Sequence, residues 1–267
     1  MTIDHIQSVE NRIKKQDGVR VSVHDAAETV LKFGQTDEAS TTPSTVWAGI
    51  DGGGDAHETM LTTNAITHLV STSGTDTVDM TVIGQTVTTG DLSAYVTQNV
   101  TLTGQTKAEL STPLARVHRM YVAGAVSLVG VVTAIEDVTV SDGVADTSAA
   151  VHATIIAGND QTYKAAIGVP FDRYLILSNW TAAILRQTAT SVATLTLETL
   201  TAGGVWLPKA TTGVTSTATN SAQRSFDPFL IIPPNHDVRV SVELLSGSGV
   251  SVAATFGGTY ARVIGTA

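Results

Sequence analysis

Cysteine is absent from this chain of 267 residues. Its absence removes disulfides, thiolate nucleophiles, Cys-type zinc sites and iron–sulfur clusters. The fold must therefore hold by packing and backbone pairing alone. Charge is also scarce, at 15% of residues against about a quarter in an average soluble domain, which excludes a charge-driven disordered chain and a long coiled coil. Basic residues are the scarcer sign: 15 Lys and Arg face 24 Asp and Glu, a net charge of −9. Beyond position 20 they stand singly, with no basic stripe to track a phosphate backbone, so no nucleic acid is expected as a partner. Long apolar runs are missing too. The longest, from Met120 to Ile135, is shorter than a membrane span and broken by Gly124, Ser127, Gly130 and Thr133. Residues 1–20 carry Asp4, Glu10, Arg12, Lys14 and Lys15 and no signal-peptide apolar core. These absences point to a soluble protein made in the cytoplasm, with no membrane partner.

Thr and Val are abundant, together about 28% of the chain. Branching at Cβ favours strands, so the expected fold is all-β. Val19, Val21 and Val23 alternate with Arg20, Ser22 and His24 like a short half-exposed strand, and after about residue 65 strand signals dominate, recurring every 8 to 15 residues, the rhythm of sandwiches. Thr77–Ile83 alternates through Val78, Met80 and Val82. Val96–Thr103 reads as a hairpin with Thr106–Leu110 across the Gly104-Gln105 turn. Thr194, Thr196 and Glu198 alternate with Leu195, Leu197 and Thr199, and Pro233-Pro234 forces a turn before Val238, Val240 and Val242. Gly158, Asn159 and Asp160 interrupt the pattern. The organisation expected is an N-terminal arm over 1–65, a first β-sandwich over 66–160 and a second over 161–267, each jelly-roll or Ig-like. In the arm, Ile6, Val9 and Ile13 fall at helical spacing behind Asp4, a short helix that needs a partner surface. Asp25 to Glu28 has capping-box spacing before Thr29, Val30 and Leu31. Gly34 to Gly54 reads as irregular, with a lone Trp47, and Thr211 to Asn220 as a long loop or hairpin tip.

Chemistry is thin. Seven histidines, at 5, 24, 57, 68, 118, 152 and 236, never form HxH, HxxxH or HExxH, so no local metal pair exists. Asp51, Asp55, His57 and Glu58 in DGGGDAHE are the most ligand-like cluster, but their spacing matches no EF-hand loop and a glycine turn explains them as well. No GxSxG elbow accompanies Asn235-His236-Asp237, which sits in an inter-strand turn. Glu136-Asp137 and Asp142 to Asp146 fall at hairpin-like turns, where solvated acids are ordinary. Trp47, Trp180 and Trp206 suit sugar stacking in principle and core plugs or interface anchors more often. No catalytic residue, metal or cofactor is expected.

Five stretches carry a resemblance: KFGQTDEASTTPSTVWAGIDGGG at 32–54, LVSTSGTDT at 69–77, VTQNVTLTGQTKAELSTPLARVHRMYV at 96–122, Gly158 to Val169, and FDPFLIIPPNHDVRVSV at 226–242. Their Phe-Gly start, Thr-rich linker, TLxGxT turn and IPP turn resemble virion structural proteins of tailed bacteriophages, from about residue 30 to the end. The resemblance implies a non-enzymatic component of a phage particle, built of β-sandwiches, present in many copies and located in the virion. Its implied partners are other virion proteins, either the major capsid protein or neck and tail proteins. The leading role is a capsid-associated decoration or spike protein anchored by its N-terminal arm. A tail, neck or fibre component that binds a host glycan is the alternative, and a depolymerase acting on that glycan is a third. Ile6, Val9, Ile13 and Trp47 are the expected assembly residues, in a homo-oligomer with trimers favoured.

Overall fold

The computed structural model describes residues 19–22, 28–37, 39–49, 60–124, 126–187, 190–200, 204–216 and 220–266. Ile6, Val9 and Ile13 lie outside these residues, as do Asp51, Asp55, His57 and Glu58. Among the described residues the regular structure is almost entirely β, with one 3₁₀ turn at Ser148–Ala150. It opens with β1 (Val19–Ser22), β2 (Thr29–Thr36) and β3 (Ser44–Thr45). Eleven strands follow: β4 (Ile66–Ser71), β5 (Asp79–Gln85), β6 (Val87–Thr88), β7 (Asp91–Leu92), β8 (Val96–Thr101), β9 (Ala108–Leu114), β10 (Arg116–Val122), β11 (Val132–Glu136), β12 (Val140–Ser141), β13 (Val144–Ala145) and β14 (Val151–Ile155). The last seven are β15 (Ala166–Gly168), β16 (Arg173–Arg186), β17 (Val192–Leu200), β18 (Trp206–Thr215), β19 (Ser221–Ile232), β20 (Asp237–Ser246) and β21 (Ser251–Thr266).

Two apolar cores organise these strands. The first belongs to residues 66–155, where the sheet β10-β5-β8 faces the sheet β14-β11-β4-β9. Ile66, Leu69, Met80, Val82, Leu114 and Met120 meet between them. The Gly104-Gln105 turn forms, with Thr103 bridged to Thr106, but its arms do not zip together as the sequence suggests. Instead β8 pairs with β5 and β9 with β4, so the turn carries the chain from one sheet to the other. Each arm has an apolar face that needs a core wall, and a bare two-stranded hairpin supplies none.

The second core is assembled from two separate stretches of sequence. One sheet runs β21-β16-β19, with β1 and β2 both on the free side of β21; the other runs β20-β17-β18, with β3 and β15 both on the free side of β20. Val30 and Val46 share its core with Leu177, Trp180, Leu195 and Phe256. Counting β1/β2 as the first strand, β3/β15 as the second and β16 to β21 as the third to eighth gives orders 1-8-3-6 and 2-7-4-5. That pair of orders is a jelly roll. Its second strand is interrupted, and the whole first sandwich is inserted between β3 and β15.

This corrects the expected arm over 1–65 and the tandem arrangement. Thr29–Thr36 and Ser44–Thr45 are jelly-roll strands, and the capping-box reading gives way to strand at Thr29, Val30 and Leu31, because β21 offers Thr36 to Thr29 a full antiparallel ladder. Gly34 marks how tightly the stretch is held: a Cβ there would lie 2.2 Å from Ala165 N and 2.3 Å from Val46 O. The stretch read as a loop over 211–220 is strand as far as Thr215, paired to β17.

Candidate functional site at the seam between the two sandwiches

The two cores are apolar, yet the surface between them is polar. β10 of the inserted sandwich brings Arg116, and the start of β20 brings Asp237. Arg116 Nε donates to Asp237 Oδ1 at 2.8 Å and its Nη2 to Oδ2 at 2.7 Å, with side chains only 8% and 5% exposed. Nη1 finishes the fork on the carbonyls of Leu61 and Ala115. A planar guanidinium can satisfy a buried carboxylate in this two-pronged way, where an ammonium cannot. Nearby, Lys164 Nζ reaches the carbonyls of Val117 at 2.7 Å and His152 at 3.0 Å. Lys32 on β2 donates to His118 O at 2.6 Å.

Two further groups close the seam. Tyr95 and Tyr260 share a hydroxyl–hydroxyl hydrogen bond, and whichever hydroxyl accepts in it has its own proton left to donate to Gly168 O, which lies within reach of both. Asn235, in the left-handed region at φ 58°, accepts from Leu92 N at 2.9 Å and donates to Asp91 Oδ1 at 2.7 Å. Cavities of about 310 Å³ and 300 Å³ flank these groups. The first is lined by Val30, Lys32, Tyr95, His118, Ile167 and Tyr260, and the second by Met60, Leu92, Arg116, Asn235 and Asp237.

Three titratable groups of the seam are held away from neutrality. Burial pushes both tyrosine hydroxyls well above their ordinary range. Burial, helped by Lys32, Lys164 and Arg116, holds His118 well below the usual histidine value. Gln85 gives its amide N–H to Ser93 O and so presents Oε1 to His118 Nε2 at 2.6 Å, which fixes a neutral ring carrying its proton on Nε2. General acid–base work needs a group titrating near neutrality within reach of a reacting atom, and none of these three qualifies.

Other constellations fail on geometry. Thr67 Oγ1 lies 2.8 Å from His68 Nδ1, and Asp137 lies 4.0 Å from that same nitrogen. A relay needs the nucleophile and the carboxylate on opposite nitrogens, and Asp137 is in any case taken by Lys107 at 2.5 Å. Glu136 meets His152 Nε2 at 3.0 Å. His236 Nδ1 turns to Pro234 O, so Asn235, His236 and Asp237 serve the turn and the seam rather than one another. Among the described residues, no group of three or more His, Cys, Asp or Glu could hold a metal, and no helix is long and apolar enough to cross a membrane.

The tryptophans divide. Trp180 is a plug of the jelly-roll core. Trp47 is 2% exposed and packs on Val70, Ile135 and Val151 of the inserted sandwich, which corrects its expected role as a surface assembly residue. It is a peg from the interrupted strand into the neighbouring sandwich, bridged to Lys164 across the break. Trp206 is half-buried with the Arg239 guanidinium 3.8 Å above its ring, and Arg239 is held in turn by Glu198 at 2.8 Å. The seam pair Arg116–Asp237 escaped sequence reading because its members lie 121 positions apart. The signal that existed was Arg116 at the period-two positions of Leu114, Met120 and Val122 in the strand run Leu114 to Val122.

No family model matches the chain, and no curated protein matches it. Among solved structures it is similar to that of infectious bursal disease virus Gt strain, at 13% identity and TM-score 0.18 over 97% of this chain and 83% of that one. It is also similar to the VP2 subviral particle of infectious bursal disease virus, at 12% identity and TM-score 0.19 over 99% and 83%. Likeness at that level settles neither fold nor function, and the jelly roll rests on the strand order above.

Proposed function

We propose that this protein is a non-enzymatic structural component of a virion, in a tailed phage a capsid-associated decoration or spike protein anchored through its N-terminal segment. The observation that carries the reading is the fate of the polar groups. The seam gathers Arg, Asp, Lys, His and Tyr side chains in one place, and they are spent on joining two sandwiches. Jelly rolls recur in viral capsids, in lectins and in cupins, and fold alone does not choose among them. A cupin-type centre would need a cluster of metal ligands, which the described residues do not contain. The phage-like segments at 32–54, 96–122 and 226–242 favour the virion. Under this reading the partners are other virion proteins and further copies of this chain, as trimers.

A tail, neck or fibre component that binds a host glycan is the second reading, favoured by Trp206 on the outward face of the β17–β20 sheet. Quantitative mass spectrometry of purified particles separates the two. Shell decoration gives on the order of hundreds of copies per particle, whereas a vertex, neck or tail position gives tens or fewer. Absence from purified particles overturns both.

A further inference from the structure

The larger seam cavity, about 310 Å³, has walls from both bodies. The jelly roll gives Val30, Lys32 and Tyr260, and the inserted sandwich gives Tyr95, His118 and Arg119. In a regular strand consecutive side chains take opposite faces. On β10 the register slips: Val117 pairs with Gly84 and Arg119 with Ile83, so His118 is the extra residue of a bulge. That bulge lets the neighbours His118 and Arg119 both line the cavity.

The inner wall is apolar and aromatic, with Val30, His118, Ile167 and Tyr260 all buried. Its shape is set before anything enters. The Tyr95 and Tyr260 hydroxyls share a hydrogen bond, Gln85 holds the His118 ring, and Lys32 ties β2 to His118 O. The mouth is charged: Arg119 and Glu28 are exposed and Lys32 is half-buried. Glu28 is already paired with Arg173 at 2.5 Å. Among the described residues the lining therefore carries an excess of positive charge, on a chain whose net charge is −9. A cationic mouth on an acidic protein favours an anion, and the aromatic wall favours a flat apolar body behind it. At about 30 Å³ per water, 310 Å³ is room for roughly ten waters, the size of one aromatic ring with a short acid group.

We infer that this cavity binds a small aromatic carboxylate, its ring among Tyr95, His118 and Tyr260 and its carboxylate against Lys32 and Arg119. Such a ligand touches both sandwiches at once, so its binding also fixes one against the other. The inference concerns the isolated chain and does not rest on the virion reading.

Phenylacetate is the probe, titrated against the full chain by ligand-observed NMR at neutral pH. It should bind with a Kd on the order of 1 mM or tighter. Phenylacetamide has the shape without the charge and acetate the charge without the ring, and each should bind at least about tenfold more weakly. Arg119→Glu at the exposed mouth should weaken phenylacetate binding at least about tenfold. Arg224→Glu makes the same charge change on exposed β19, at the other edge of the sheet from β2, and should leave binding unchanged. Ile83→Trp, which fills the cavity, should abolish it. Should Ile83→Trp unfold by circular dichroism, the two arginine variants decide alone. Equal affinity for acid and amide overturns the inference, as does equal loss in both arginine variants or unchanged binding in folded Ile83→Trp. So does the absence of saturable phenylacetate binding below about 10 mM. Tighter binding of glucuronate than of phenylacetate overturns it in favour of a sugar site.

Discussion

The inserted sandwich and the jelly roll are both two-sheet bodies with apolar cores, yet they are written into the sequence differently. Residues 66–155 supply the first core without a break. The second draws Val30, Ala39 and Val46 from before the insertion and its other buried members from beyond residue 164. A boundary that looks like a linker in sequence, near Gly158, is a boundary for one body and an interior seam for the other. Folding units are set by which faces bury one another, and an insertion is tolerated wherever both ends of a module return to neighbouring points.

The largest expected difference between the two is in isolation. A fragment of residues 60–162 should unfold cooperatively in urea, because it keeps its core intact. A fragment of 161–267 should not, because it loses β2 and β3, leaves the flank of β21 bare and opens the space filled by Val30 and Val46. Cooperative unfolding of the second fragment would falsify the discontinuous core. Next in size is the seam. Asp237→Ala strands a buried guanidinium and should cost about 3–5 kcal/mol, while the double change Arg116→Met/Asp237→Leu should be close to neutral or stabilising. Chemical denaturation of the three proteins measures both, and a loss below about 1 kcal/mol for Asp237→Ala means that water reaches the pair.

A smaller effect should appear with pH. The folded His118 binds its proton less readily than the unfolded ring, so its contribution is complete above about pH 6.5 and declines as the pH falls through that value, because only the unfolded state gains the proton. The slope is about 1.4 kcal/mol per pH unit for one proton, ending at the depressed folded value. His118→Gln should flatten the stability profile by that slope between pH 6.5 and 5; an unchanged profile means the ring is already protonated in the fold. Smallest of all, Trp206→Ala removes the stack under Arg239 and should cost about 0.5–2 kcal/mol. A greater loss in thermal melts would place Trp206 in a core rather than on a face.

Much of the jelly roll was legible from alternation. Thr194 to Thr199 has the expected burial at period two, because a half-buried strand writes its environment into every second residue, whereas Val238 to Val242 is strand as expected but buried on both faces. The strands Thr29–Thr36 and Ser44–Thr45 were not legible, since Thr, Ser and Gly at a sheet edge satisfy a turn as readily as a ladder, and only partner strands about 200 positions away decide. The same remoteness hid the partner of Arg116. Trp47 was expected among the assembly residues and packs instead inside its own chain, and sequence alone does not say which of these a lone tryptophan does. The misread hairpin at Gly104-Gln105 shows the limit of local turn chemistry: the turn was right and its arms went to different sheets.

The interrupted strand has a mechanical consequence. On β20, Asp237 to Arg239 receive β15 while Ser241 and Val242 receive β3, so the inserted sandwich is tethered at two adjacent places on one strand, with the Arg116 fork beside them. A body hung from a single strand swivels freely. One held at two points and keyed by a planar ion pair resists rotation, and a sideways push on its far end is delivered to the jelly roll as torque on β20, a strand flanked on both sides within its sheet.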